Sequence, residues 1–239
     1  MMNIFVTGTS NKVGKTFVTA ALASIMQSLS YKTAVYKPIQ TGAIEQNSFM
    51  IAPDISYVKK IDPYITAECT YHLKSILQPV ISAEMENIKI NPKVILKDYN
   101  MLKDKFDTVL VEGTGGILTP IAPRFTIANL IKMLNLPVVV ITLPTEEAVN
   151  DTILTVNHAE AMGIEVNGII INRYPEGVED MKIKTLPRLF EEYTKTTVIG
   201  VIKELDGYGE NTPASIIDNV LNGVDIEKVF NVKIPKLEV

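Results

Sequence analysis

Between residues 3 and 16 the chain reads Asn-Ile-Phe-Val-Thr-Gly-Thr-Ser-Asn-Lys-Val-Gly-Lys-Thr, and few backbone plans accommodate that stretch. Ile4, Phe5 and Val6 make a short apolar run, Gly8 opens a loop, Gly14-Lys15-Thr16 closes it, and a helical pattern runs on to Leu29. Strand, glycine-bounded loop, Lys-Thr and helix together build an anion cradle. The glycines let the backbone turn its N–H groups inward, and the positive end of the following helix dipole adds to the field. Lys15 is placed to reach terminal phosphates, and the Thr16 hydroxyl to join a Mg²⁺ shell. The common pattern has four residues between its glycines, whereas this loop has five, Thr9 to Val13. A bare Gly-Lys-Thr also fits an ordinary turn before a helix. The flanking strand and helix favour nucleotide binding.

A chain of 239 residues can bury a large core, and 46% hydrophobic with 21% charged residues suits a globular enzyme. The net charge of -4 offers no basic surface, so no nucleic-acid partner is expected. Cys69 is the single cysteine, which rules out an internal disulfide and a cysteine-rich zinc site. The start shows no basic region followed by a long apolar stretch, and no apolar run approaches the ~18 residues of a membrane helix. The expectation is a cytoplasmic protein without a membrane partner.

Val/Ile-rich runs at 4–7, 33–36, 108–112, 138–142, 168–172 and 198–201 predict strands. They are apolar nearly throughout, as strands covered on both faces of a parallel sheet must be. Helical patterns fall between them at 15–29, 92–105, 126–134, 149–161, 180–193 and 213–229. The alternation predicts an α/β fold: a single doubly wound domain over residues 1–239, its mostly parallel sheet flanked by helices. Residues 41–89 are less periodic and carry Pro53, Pro63 and Pro79, so substrate-facing loops and short helices are expected there.

Ligands of such sheets sit outside the carboxyl ends of the strands, which gives weight to polar residues just after each run. Lys37 follows an apolar strand and precedes Pro38, with Thr41 and Gly42 close behind. It reads either as a solvated strand-end lysine or, in this context, as a functional cation. Glu112 ends Thr-Val-Leu-Val and is followed by Gly113, Gly115 and Gly116. Its carboxylate suits Mg²⁺, while the glycines also suit a tight turn. Asp54 fits the same ion equally with a helix N-cap after Pro53. His72 and His158 lack a paired acid at readable spacing and read as structural or surface residues, and Cys69 lacks a nucleophile context and reads as buried.

The blocks Thr7-Gly8-Thr9 to Gly14-Lys15-Thr16, Tyr36-Lys37-Pro38-Ile39-Gln40-Thr41-Gly42, Asp54 and Val111-Glu112-Gly113-Thr114-Gly115-Gly116 resemble the dethiobiotin synthetase family, which also has the five-residue loop interior. The resemblance runs from Asn3 to about Thr155 and weakens beyond, to Asn172 and Gly200–Ile202. It implies ATP- and Mg²⁺-dependent ring closure of 7,8-diaminononanoate with CO₂, and homodimers with the substrate pocket across the interface. By resemblance, ATP meets Asn11, Lys12, Val13, Gly14, Lys15, Thr16 and Phe17, with Asn172 on the adenine. Thr16, Asp54 and Glu112 would hold the metal. Asn11, Lys37, Thr41, Gly115, Val149 and Asn150 would face the diamine, with Lys37 and Lys15 catalytic. Relatives carry a Leu-Gly-x-Ile-Asn-like stretch where this chain has Thr145-Glu146-Glu147-Ala148-Val149-Asn150. Glu147 replaces the glycine beside the expected carboxylate tail and would repel it unless turned away.

Two other readings share the loop. A cobyrinate-type amide ligase usually carries a glutaminase domain with a nucleophilic cysteine, for which this chain has no room. A nucleotide switch or partitioning ATPase places a lysine five residues before Lys15, where this chain has Ser10.

Overall fold

The computed structural model describes residues 2–205 and 211–233. Strand β1 (Ile4–Gly8) leads through the glycine-bounded loop into α1 (Lys15–Ser28). Strand β2 (Thr33–Thr41) is followed by the hairpin β3 (Ile44–Gln46) and β4 (Phe49–Ile51), then α2 (Pro53–Ile61) and β5 (Thr66–Leu73). Helices α3 (Pro79–Met85) and α4 (Pro92–Lys103) precede β6 (Thr108–Gly116). A small hairpin, β7 (Pro120–Ala122) with β8 (Phe125–Thr126), enters α5 (Ile127–Leu134). Then come β9 (Val138–Thr142), α6 (Glu147–Ala161), β10 (Val166–Tyr174), α7 (Met181–Lys184), α8 (Leu186–Thr194), β11 (Val198–Lys203), α9 (Pro213–Gly223) and α10 (Ile226–Phe230).

Among the described residues, seven strands form one parallel sheet in the order β11-β10-β9-β1-β6-β2-β5. Successive residues of a strand point to opposite faces, so each central strand feeds two cores. Phe5, Val109, Val111, Val138 and Val140 pack on one face with Ile95 and Tyr99 of α4, Leu130 of α5, Val156 of α6 and Phe190 of α8. Ile4, Val6, Leu110, Val139 and Ile141 pack on the other with Val18 and Leu22 of α1, Val58 of α2, Ile216 of α9 and Phe230 of α10. Coverage on both faces explains the unbroken apolar runs.

The sheet splits at its carboxyl edge between β2 and β6. Their pairing ends at Tyr36 opposite Val111, while β2 continues beside β5 as far as Thr41 opposite Leu73. Beyond Glu112, β6 turns toward β1, reaching Gly116 opposite Gly8. Pro38 is tolerated inside β2 because the strand has become an edge on its β6 side. The split opens a cleft with Lys37 on one lip and Glu112 on the other. The Thr114 hydroxyl bridges the lips by donating to the Ile39 carbonyl at 2.5 Å.

Several expectations change in detail. Residues 41–89 hold a strand that the sequence pattern hid. β5 is an edge strand of Thr-Ala-Glu-Cys-Thr-Tyr-His-Leu, mostly half-exposed, and so lacks an apolar run. For the same reason Cys69 is half-buried instead of buried. The hairpin β3–β4 turns on Asn47 and Ser48, both at positive φ, as a tight hairpin turn requires. The helix expected over 180–193 breaks at Thr185 before Pro187, whose ring supplies no N–H to the Ile183 carbonyl; the Tyr174 hydroxyl donates there instead at 3.4 Å. The pattern over 213–229 is two helices, interrupted where Val224 bridges to Gly200.

Candidate active site

The cleft gathers three functional side chains, Asp54, Glu112 and Thr16, about the Lys37 cation. Lys37 Nζ lies 2.6 Å from Asp54 Oδ2 and 2.8 Å from Glu112 Oε1, and it also donates to the Gly113 carbonyl at 3.2 Å. The Thr16 hydroxyl donates to the same Glu112 oxygen at 2.7 Å. Lys37 is 3% exposed and Glu112 1%, so this ion pair is a buried one. Burial alone would lower the Lys37 ammonium, but the charges of Glu112 and Asp54 outweigh it and hold it above the usual lysine range. Burial pushes the Glu112 carboxyl up, opposed by Lys37.

Asp54 is not the N-cap of α2. That place belongs to Ala52, and Asp54 stands in the first turn after Pro53 with its carboxylate directed at Lys37. Its negative charge there is favoured by the helix dipole as well.

The loop is closed by its own lysine. Lys15 Nζ donates to the Ser10 carbonyl at 2.8 Å, and its burial, followed by the nearby charge of Lys37, lowers it to about 8. Gly14 caps α1 at φ 96°, and a Cβ there would stand 2.0 Å from Asn172 Nδ2. Asn172 packs over that glycine and donates through Nδ2 to the Val13 carbonyl at 2.9 Å, tying the end of β10 to the loop. At the β6 tip, a Cβ on Gly116 would stand 3.1 Å from the Thr9 carbonyl oxygen, so glycine permits close backbone approach.

Two cavities adjoin the loop. One, of about 480 Å³, is lined by Thr16, Phe17, Asp54, Tyr57, Asn172 and Arg173 among others. The second, of about 450 Å³, is lined by Thr9, Ser10, Asn11, Gly116, Leu118 and Leu154 among others. A cationic cleft at strand tips, with two separate hollows bordering the loop, suits transfer between two bound molecules.

A family model described as an AAA domain matches residues 2–212. An ATP-dependent dethiobiotin synthetase BioD from Anoxybacillus flavithermus is 35% identical over 210 residues, 87% of this chain and 94% of that protein. The Fusobacterium nucleatum protein of the same name is 38% identical over 189 residues, 77% of this chain and 85% of its own length. The chain belongs to the dethiobiotin synthetase family. Solved structures of MinD from Aquifex aeolicus (TM-score 0.57, 16% identity, 98% of both chains) and a ParA family ATPase from Chlorobium tepidum (TM-score 0.55, 12% identity, 98% of this chain and 95% of that one) share the fold.

Set against what the dethiobiotin synthetase resemblance implied, Thr16, Lys37, Asp54 and Glu112 are in direct contact, with Lys15 close enough to feel Lys37, Glu112 and Asp54. Phe17 and Asn172 line the larger cavity, and Asn11 the smaller. Lys12 is exposed at φ 61°, and Val13 is buried under the loop. Thr41 ends β2 and is half-buried; Gly115 sits at φ 73° against Thr119. Val149 and Asn150 lie in the first turns of α6, but Asp151, Leu154 and Thr155 are the α6 residues that line the smaller cavity. The two glutamates there are engaged elsewhere. Glu146 pairs with Lys182 at 3.0 Å, and hydrogen bonds from its own backbone N–H and from Thr145 lower Glu147. Tyr57, Lys60 and Lys203 escaped sequence reasoning because residues of α2 and the end of β11 come to one hollow only in the folded chain. The sole signal for Lys203 was position after a strand run, and for the α2 pair there was none.

Proposed function

We propose that the protein is an ATP-dependent dethiobiotin synthetase, a cyclo-ligase of biotin biosynthesis, working as one ligase domain. The observation that carries this reading is the buried Lys37 ammonium, held across the split between β2 and β6 beside the phosphate loop. A nucleotide switch has no need of a second buried cation there.

One amine of 7,8-diaminononanoate adds to CO₂ and loses a proton, giving a carbamate. A carbamate oxygen attacks the γ-phosphorus of ATP and ADP leaves, forming a carbamic–phosphoric anhydride. The second amine attacks its carbonyl carbon, phosphate departs, and a cyclic urea closes. The first transfer brings two anions together, which preorganised cations favour. Lys37 holds the carbamate, and Lys15 neutralises charge on the transferred phosphoryl group. Thr41, Asn11 and Gly115 contact the diamine, while Val149 and Asn150 receive its carboxylate tail. Asn11, Lys12, Val13, Gly14, Thr16 and Phe17 cradle the nucleotide, and the acceptor oxygen of Asn172 faces its base.

The donor set around Lys37 fits Mg²⁺. Thr16 Oγ1, Asp54 and Glu112 are hard oxygen donors already gathered about a positive centre, and Mg²⁺ takes one or two carboxylates together with phosphate oxygens and waters. These three residues would hold it, and the ion would supply positive charge against the phosphates. We also propose a homodimer, supported by Leu118 and Leu154, which are exposed yet line the smaller cavity, as apolar groups completed by a second subunit would. The cytoplasm is the proposed location, since the reaction consumes ATP. Among the described residues no helix is long and apolar enough to cross a membrane.

ADP release measured with and without diaminononanoate and bicarbonate tests the reading. The expected outcome is turnover that needs both, with dethiobiotin identified by mass. Equal turnover without them would support a switch ATPase instead.

A further inference from the structure

Of the block Lys37 to Gly42, Gln40 is the buried polar residue that the chemistry leaves without a task. One of its two bonds ties the β2 tip to the next helix, and the other holds its amide to β2. Gln40 Oε1 accepts the Asp54 N–H at 3.3 Å, and Nε2 donates to the Thr41 carbonyl at 2.8 Å. The first turn of a helix leaves its N–H groups without internal partners, and an N-cap side chain normally meets one of them. Here the N-cap is Ala52, which has no such group, and Pro53 has no N–H to offer. A side chain from fourteen residues earlier in the chain does the work instead.

We propose that Gln40 is a positioning residue for the metal-binding carboxylate of Asp54: it fixes the start of α2 to the same strand tip that carries Lys37. Lys37 and Gln40 lie three residues apart on β2, and their partners on α2 are the carboxylate and the N–H of one residue, Asp54. The strand therefore grips Asp54 at two points, one ionic and one through the backbone. The backbone grip persists when the carboxylate turns from Lys37 to a metal ion. A ligand held in this way loses less freedom on binding, and outer contacts of this kind typically change metal affinity about 10–100-fold. This inference rests on Asp54 being a metal ligand.

The test is Mn²⁺ binding to the ADP-loaded full-length protein, read by electron paramagnetic resonance, alongside the Mg²⁺ dependence of turnover. Gln40→Leu is expected to weaken Mn²⁺ binding about tenfold. It should raise the half-saturating Mg²⁺ concentration in parallel, while kcat at saturating Mg²⁺ and metal-free ADP affinity stay near normal. Ala52→Ser, added to Gln40→Leu, gives α2 an ordinary cap and should restore the melting temperature without restoring Mn²⁺ affinity. Should Gln40→Leu fail to fold, Gln40→Met, of closer length, is measured in its place. Unchanged Mn²⁺ affinity, or its recovery through Ala52→Ser, would reduce Gln40 to a helix cap and overturn the proposal. Asp54→Ala separates the two levels. If it weakens Mn²⁺ and Gln40→Leu does not, only the role of Gln40 falls; if Asp54→Ala has no effect, both fall.

Discussion

Lys37→Ala is expected to lower ring closure by at least about 10²–10³-fold, the loss that follows removal of one preorganised charge-stabilising group, while ADP affinity stays nearly unchanged. The contrast follows from where the side chain points. Lys37 bonds to Asp54, Glu112 and the Gly113 carbonyl, and none of its hydrogen bonds reaches the loop from Gly8 to Thr16. Its removal also breaks a buried ion pair. In metal-free protein the Glu112 carboxylate loses its partner at 1% exposure, a change that costs about 3–5 kcal/mol when a charge is left uncompensated. Glu112 relieves part of that by taking up a proton, which burial already favours. The variant should therefore melt well below the parent without Mg²⁺ and recover much of the difference with it. Steady-state product formation, ADP titration and melting with and without Mg²⁺ check the three parts. Near-normal product formation would remove Lys37 from the chemistry.

Lys15→Ala is expected to damage ATP use itself, lowering turnover by at least about a hundredfold and weakening nucleotide binding as well. In the free protein Lys15 spends its charge on the Ser10 carbonyl in a buried place, and its pKa sits at about 8. A bound polyphosphate stabilises the ammonium and raises that value. The sign follows directly. Well below pH 8 Lys15 is already charged and binding takes up no proton there. Above pH 8 it is largely neutral, so binding must draw in a proton and affinity falls as pH rises. Calorimetry of ADP binding at pH 8.5 in buffers of different ionisation enthalpy should show proton uptake in the parent and none at this position in Lys15→Ala. Equal uptake in both would assign the proton to another group.

Much of the architecture was legible because the central strands are covered on both faces. Runs such as Thr-Val-Leu-Val before Glu112 and Val138–Thr142 announce buried parallel strands, and the glycine-bounded loop marked β1 as the strand leading into α1. β5 was not legible, since an edge strand half-open to water alternates no clear pattern, and neither were the helix breaks at Thr185 and Val224. At the site, Lys37, Asp54 and Glu112 were readable as strand-end or helix-start charges, but their convergence was not. It depends on the parting of β2 from β6 and on the seating of α2, which are tertiary events. Gln40 shows the limit most clearly. It stood inside the quoted motif, yet its partner is the backbone N–H of Asp54, and a backbone group leaves no mark in a residue pattern.

A crystal structure with Mg²⁺, a non-hydrolysable ATP analogue and diaminononanoate in place tests the central claim most directly. The expected result puts the Lys37 ammonium between the reacting nitrogen of the diamine and the γ-phosphate, with Thr16, Asp54 and Glu112 turned to the metal. A diamine bound away from the β2–β6 cleft, with Lys37 still locked between the two carboxylates, would contradict it.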